Sequence, residues 1–130
     1  MDSLEFHGGR GGFSPGVLFL LDFLLFSLYH NKVTNEENKE YSWYAGKRQE
    51  NIDKRGLDFV EFAPKIFADP NVVIRPDNRK NYGEKRYLAF GRADGMSLCL
   101  CFTPRKGLIH LITIYKANKK DWEKNYEQID

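Results

Sequence analysis

The sequence predicts one α+β domain with a mostly antiparallel sheet, on three observations. Two tight-turn signals, Ala93-Asp94-Gly95 and Arg105-Lys106-Gly107, separate strand-like runs in succession, which predicts an antiparallel meander. Two helix patterns, punctuated by Gly56 and Asp58, precede that meander, and a helix opened by Asn118 follows it. Strands grouped together rather than alternating one-for-one with helices indicate α+β rather than α/β.

Each element has its own signal. Tyr41–Tyr44 is aromatic and short, as an edge strand would be. Ala45–Arg55 reads as a charged helix stopped by Gly56, which adopts the left-handed cap conformation without penalty. Asp58 with Glu61 three residues on is a capping box opening a second helix, whose apolar face is Phe59, Phe62, Ala63, Ile66 and Phe67. Pro64 removes the N–H that would bond the carbonyl of Val60, so a kink or a short helix is expected before Asp69-Pro70 ends it. Asn71–Arg75 is β-branched, and Pro76–Glu84 is a turn-rich loop. Lys85–Arg92 alternates, with Arg86, Leu88, Phe90 and Arg92 on one face and Tyr87, Ala89 and Gly91 on the other. Met96–Thr103 is apolar on both faces, which predicts a central strand, and Leu108–Tyr115 is a second buried one. The closing helix puts Trp122, Tyr126 and Ile129 on one stripe and leaves Lys119, Lys120 and Lys124 wet.

A chain of 130 residues suffices for one hydrophobic core. Its first 38 residues read differently from the rest. Gly8–Gly16 has no helical period, and Val17–Tyr29 is a 13-residue apolar run broken by Asp22. A membrane span needs about 20 such residues, and a secretory signal needs a positive start that Asp2 and Glu5 do not provide. The segment is expected to be a non-conforming extension, either an accessory helix or a stretch translated upstream of the true start. Asn31–Glu40 reads as a polar linker. Stable membrane association is not expected, and a cytoplasmic location is.

Charge divides the chain in the same way. Residues 1–38 carry a net −3 and residues 39–130 a net +5; within Arg75–Lys124, twelve basic residues face five acidic ones. An excess so concentrated points to a polyanionic partner, nucleic acid first. Cys99 and Cys101, at i and i+2, lie side by side on one strand face, which favours buried reduced thiols over a disulfide. With His110 the one histidine in the basic domain, neither a zinc site nor a histidine pair for acid–base cleavage of RNA is available, and a packed histidine is the expected role. No metal or cofactor is expected. The chain has no G-x-S-x-G, H-E-x-x-H or phosphate-cradling P-loop pattern. The remaining chemistry is guanidinium, ammonium and phenol groups at strand ends, which bind phosphate and stabilise charge developing on it.

Several stretches together resemble one family. They are Trp43 with Lys47–Phe62; Phe67-Ala68-Asp69-Pro70; Tyr82–Arg92 (YGEKRYLAFGR); Phe102-Thr103-Pro104-Arg105; Ile112–Ala117; and Lys120–Tyr126. In this order they resemble the BrnT toxins. The resemblance implies a RelE-like fold, endoribonuclease activity that arrests growth, neutralisation by a BrnA-like antitoxin, and contact with operator DNA only through that antitoxin. With the strand-end chemistry, this makes Arg105, Lys116, Tyr115 and Tyr126 the expected catalytic residues, with Arg92, Arg105 and Lys116 gathered around one ribose–phosphate pocket. Trp43, Arg86, Arg92, Lys119 and Lys120 are the expected RNA contacts. Three positions depart from the family pattern: Tyr44 and Pro104 stand where an acid is usual, and Tyr115 where Arg is usual. Loss of a cation at 115 removes a phosphate contact. An alternative therefore stands beside the nuclease: a catalytically degenerate module that only pairs with an antitoxin.

Overall fold

Met96–Arg105, which contains the apolar run Leu98–Phe102, forms a central strand of the computed structural model, which describes residues 34–126. In chain order the elements are β1 (Asn35–Glu37), β2 (Tyr41–Tyr44), α1 (Ala45–Arg55), α2 (Phe59–Ala68), β3 (Val73–Pro76), β4 (Tyr87–Ala93), β5 (Met96–Arg105), β6 (Leu108–Lys116) and α3 (Lys119–Asn125). The six strands form one sheet in the order β1-β2-β6-β5-β4-β3, with β2–β6 its one parallel pairing. This is an α+β fold with a mostly antiparallel sheet.

Both hairpin turns form as their residues require. Asp94 and Gly95, and then Lys106 and Gly107, all have positive φ, the two-residue turn whose twist matches that of the flanking strands. Gly56 takes φ 68° and caps α1, its N–H bonding the carbonyls of Asn51 and Ile52. Asp58 caps α2 by accepting from the N–H of Val60 and is itself gripped by Arg48 at 2.8 and 2.9 Å. Glu61 does not complete a capping box; its carboxylate pairs with Lys65 at 3.6 Å. Helix α2 runs through Pro64 for ten residues.

The N-terminal boundary is a correction. The stretch read as a polar linker contains β1, which pairs antiparallel with β2. Tyr41–Tyr44 is therefore an interior strand and not an edge. The sheet rewards this because β2 runs beside β6 and leaves its outer backbone groups in need of partners, which exposed polar residues can supply as well as apolar ones. The apolar run Val17–Tyr29 and Ile129 lie outside the described residues. Among the described residues no helix is long and apolar enough to cross a membrane.

The sheet separates two clusters. On one face α1 and α2 pack over Trp43, Ala89, Leu98, Leu100, Phe102, Leu111 and Ile114. Helix α2 comes so close that a Cβ on Gly91 would stand 2.9 Å from the carbonyl oxygen of Ile66, so only glycine fits there. On the other face Leu88, Phe90, Cys99 and Cys101 pack against Trp122 of α3 and its C-cap Tyr126. Both cysteines are buried free thiols, as expected.

A register shift between Cys101 and Phe102 places an extra residue, Ile112, in β6. Beyond Leu111 the paired part of β2 ends, and Asn51 of α1 takes over. Its side-chain oxygen accepts from the N–H of Ile114 and the hydroxyl of Thr113, and its nitrogen donates to the carbonyl of Lys47. Asn51 is fully buried, and the strand edge it satisfies explains why a polar residue stands there.

Candidate functional site

The second face is only half covered by α3. Toward the β5–β6 turn it is overlain by the loop joining β3 to β4, whose residues 77–86 carry four basic side chains and two acids. The two acids organise it. Asp77, with its side chain wholly buried, accepts from Arg79 through two guanidinium bonds of 2.7 and 2.8 Å and one from the backbone N–H, and from the hydroxyl of Tyr82 at 3.1 Å. The bonds from Arg79, foremost, hold the Asp77 carboxyl down to about 2 against the opposing effect of burial. The guanidinium of Arg86 lies 4.3 Å from the centre of the Tyr82 ring.

Glu84, the second acid, bridges two arginines. It accepts from Arg105 at 2.9 Å and from Arg86 at 3.1 Å, with 29 % of its side chain exposed. Burial pushes its carboxyl up, and the two guanidinium groups outweigh that and hold it below the usual range. Arg105 also donates to the Tyr44 hydroxyl at 3.2 Å. Tyr44 stands edge-on to His110, whose Nδ1 is 2.9 Å from the Ser42 hydroxyl. Burial, reinforced by the charge of Arg105, lowers His110 to about 4, so it is neutral and packed, as expected. The outcome is a continuous polar array over Cys101 and Thr103 of β5, in which three arginines, two carboxylates and the phenols of Tyr44 and Tyr82 are in mutual contact.

The expected convergence of Arg92, Arg105 and Lys116 does not occur. Arg92 pairs with Ser97 and Lys116 with Leu98, at the start of β5, whereas Arg105 is its last residue. Ser97 and Arg105 are eight residue steps apart along β5, about 27 Å at the rise of an antiparallel strand. Sequence spacing conceals this, because hairpin strands run in opposite directions and both Arg92 and Lys116 lie at ends that meet the beginning of β5. Tyr115 and Lys116, being successive, point to opposite faces. Tyr115 lies on the second face beside Cys99 and Arg79, with burial first and its bond to Cys99 next raising its pKa, so it is a protonated phenol. Tyr126 is 8 % exposed, stacks on Trp122 and gives its hydroxyl hydrogen to Asp69 at 2.9 Å. Asp69 also receives the backbone N–H groups of Asn71 and Arg92, so this is a tie between α3 and the α2–β3 turn. The guanidinium of Arg92 lies over both rings, 5.4 and 5.7 Å from their centres.

Trp43 is likewise corrected as an RNA contact. It is 6 % exposed in the helix-side core, and its indole N–H donates to Glu36 at 2.9 Å, leaving no ring face for a base. Arg86 and Arg105 belong to the polar array. Lys119 and Lys120 are exposed on α3, at the Arg92 end. The residues missed by the sequence reading are Asp77, Arg79, Tyr82 and Glu84. Their signal was present as acids and phenols interleaved with arginines in one turn-rich loop, but loop residues carry no periodicity that shows which way they face.

A family model described as the ribonuclease toxin BrnT of type II toxin–antitoxin systems matches residues 43–121, a span from β2 into α3 that contains the whole polar array. No curated protein and no solved structure matches the chain. Covering more than half of the sequence, that match makes this chain a member of the BrnT family of ribonuclease toxins.

Proposed function

We propose that this chain is a metal-independent endoribonuclease toxin that cuts RNA at the β5–β6 end of the second sheet face, arrests growth, and is neutralised by a BrnA-like antitoxin. The single observation carrying this reading is Glu84 held between Arg86 and Arg105, with the Tyr44 hydroxyl beside them. A phosphodiester is a good match for two guanidinium groups, which meet the negative charge of a phosphorane-like transition state without a metal. Binding phosphate loosens their hold on Glu84, which then accepts the proton of a ribose 2′-hydroxyl. The 2′-oxygen attacks phosphorus, the bond to the 5′-oxygen breaks, and the leaving oxygen takes its proton from Tyr44. The products are a 2′,3′-cyclic phosphate and a free 5′-hydroxyl.

Of the catalytic residues expected from the sequence, Arg105 keeps a direct role, and Tyr115 floors the adjoining surface. Lys116, Arg92, Lys119 and Lys120 serve as a distant basic patch that attracts the RNA backbone, and Tyr126 positions α3. In the cell the toxin works in the cytoplasm, and the operator is reached only through the antitoxin.

The test is induced expression of the full chain with and without the neighbouring antitoxin gene, alongside cleavage of RNA by the purified protein in chelator. Arg105→Ala and Glu84→Gln should each lower cleavage about 100-fold or more, whereas Lys116→Ala should change little. A loss at Lys116 equal to that at Arg105 moves the reaction to the other end of the sheet. Full expression with neither arrest nor cleavage leaves the antitoxin-binding module without catalysis.

A further inference from the structure

A cleft of about 570 Å³ lies beside the β3–β4 loop, within the size range of small-molecule sites, about 300–1,000 Å³. Its walls combine three kinds of group. Tyr82 supplies an aromatic surface, Asn78 and Asn81 supply amides, and Lys80 and Lys85 supply cations. Two further lining residues, Glu84 and Arg86, are shared with the polar array, so whatever fills the cleft lies next to a phosphate held by Arg86 and Arg105.

Each wall has a definite state. The Tyr82 ring is fixed from two sides: its hydroxyl bonds Asp77, and the Arg86 guanidinium lies 4.3 Å from its centre. It therefore offers a preoriented flat surface, which costs little ordering on binding. Lys80 stands 5.2 Å from the same ring, exposed, and forms no ion pair among the described residues, so an incoming group that displaces it breaks no salt bridge. The Asn81 side chain is committed to the N–H of Gly83 through its oxygen, leaving its nitrogen as a donor. Asn78 is exposed and makes no side-chain hydrogen bond among the described residues, so both its donor and its acceptor are open.

A flat aromatic surface, paired amides and flanking cations are together the complement of a nucleobase with its phosphate. An amide reads a base edge by donating and accepting at once, the ring stacks on the base plane, and the cations hold the backbone. A fatty or purely anionic ligand would use only part of this set. We infer that the cleft lined by Asn78, Asn81 and Tyr82 receives the base of a single-stranded RNA nucleotide adjacent to the cut, and so sets where the toxin cleaves. This rests on the proposed ribonuclease reading for its consequence, but not for the binding itself. A duplex cannot use the cleft, because its bases are stacked within the helix and present no free face.

The experiment is sequencing of RNA ends produced by the full chain and its variants, with binding of a 2′-deoxy, uncleavable oligonucleotide measured in parallel by fluorescence anisotropy. A matched oligonucleotide with one abasic position next to the 2′-deoxy site serves as the control. Tyr82→Leu should weaken binding of the intact oligonucleotide about tenfold and leave binding of the abasic one unchanged. Tyr82→Phe keeps the ring and should retain the preference of the parent, which separates stacking from the bond to Asp77. Asn78→Ala should flatten the base preference at the cut by lowering the rate on the best site toward that on the others. If the parent binds intact and abasic oligonucleotides equally, or if Tyr82→Leu and Asn78→Ala leave the preference unaltered, the cleft is not a base site. Cleavage absent in the parent with the abasic difference intact would sink the nuclease reading alone.

Discussion

Asp77 is where the loop over the candidate site is secured, and Asp77→Asn tests that role through its pH dependence. The substitution keeps the shape, and an amide oxygen still accepts from Tyr82 or the Arg79 N–H. It removes the charge that receives two guanidinium bonds within 2.8 Å in a side chain with no exposure. The carboxyl is held at about 2 against 3.8 for the free group. A depressed carboxylate pKa stabilises the fold fully above the unfolded value and loses that contribution as pH falls through the folded one. The difference corresponds to about 2 kcal/mol at neutral pH, with about half of it left at pH 3 and nearly none below pH 2. Urea unfolding of parent and variant between pH 7 and pH 2.5, followed by tryptophan fluorescence, measures the gap directly. A gap of that size that narrows only below pH 5 is the expected result. A gap that stays constant down to pH 2.5, or none at neutral pH, would show that the Asp77–Arg79 pair does not hold the loop.

Three further outcomes follow from other parts of the structure. His110, lowered to about 4 by burial, must take up a proton on unfolding at any pH between that value and 6.5. Stability should therefore fall by about 3 kcal/mol as pH drops across that window, and His110→Gln should remove this slope while leaving the one below pH 4. Gly91→Ala places a Cβ 2.9 Å from the carbonyl oxygen of Ile66, and thermal unfolding should show a loss of about 1–3 kcal/mol; an unchanged midpoint would mean α2 slides freely on β4. Replacing both Lys119 and Lys120 by Ala should leave the rate at saturating RNA unchanged and make the slope of log affinity against log salt shallower by about 1.4; an unchanged slope would exclude them from the RNA path.

The hairpins, caps and central strand of this protein were legible in the sequence because each is a local matter. Asp94-Gly95 and Lys106-Gly107 turn the chain by their own backbone preferences, Asp58 and Asn118 cap the helices that follow them, and a run apolar on both faces has to lie inside a sheet. The same locality fixed the alternation of β4, so Leu88 and Phe90 meet α3 while Tyr87 and Ala89 meet the helix pair. What the tertiary structure decided was non-local. The β1 strand had no apolar pattern to announce it and forms because β2 has an edge to satisfy. Whether Arg92, Arg105 and Lys116 meet depends on strand direction and register, which bring like ends of a hairpin together and carry Arg105 to the far end of the sheet. The polar array exists because an irregular loop folds back over one sheet face and is pinned there by Asp77 and Glu84. Residue order alone supplies the arginines, acids and phenols; only the crossing of that loop over β5 places them within reach of one another.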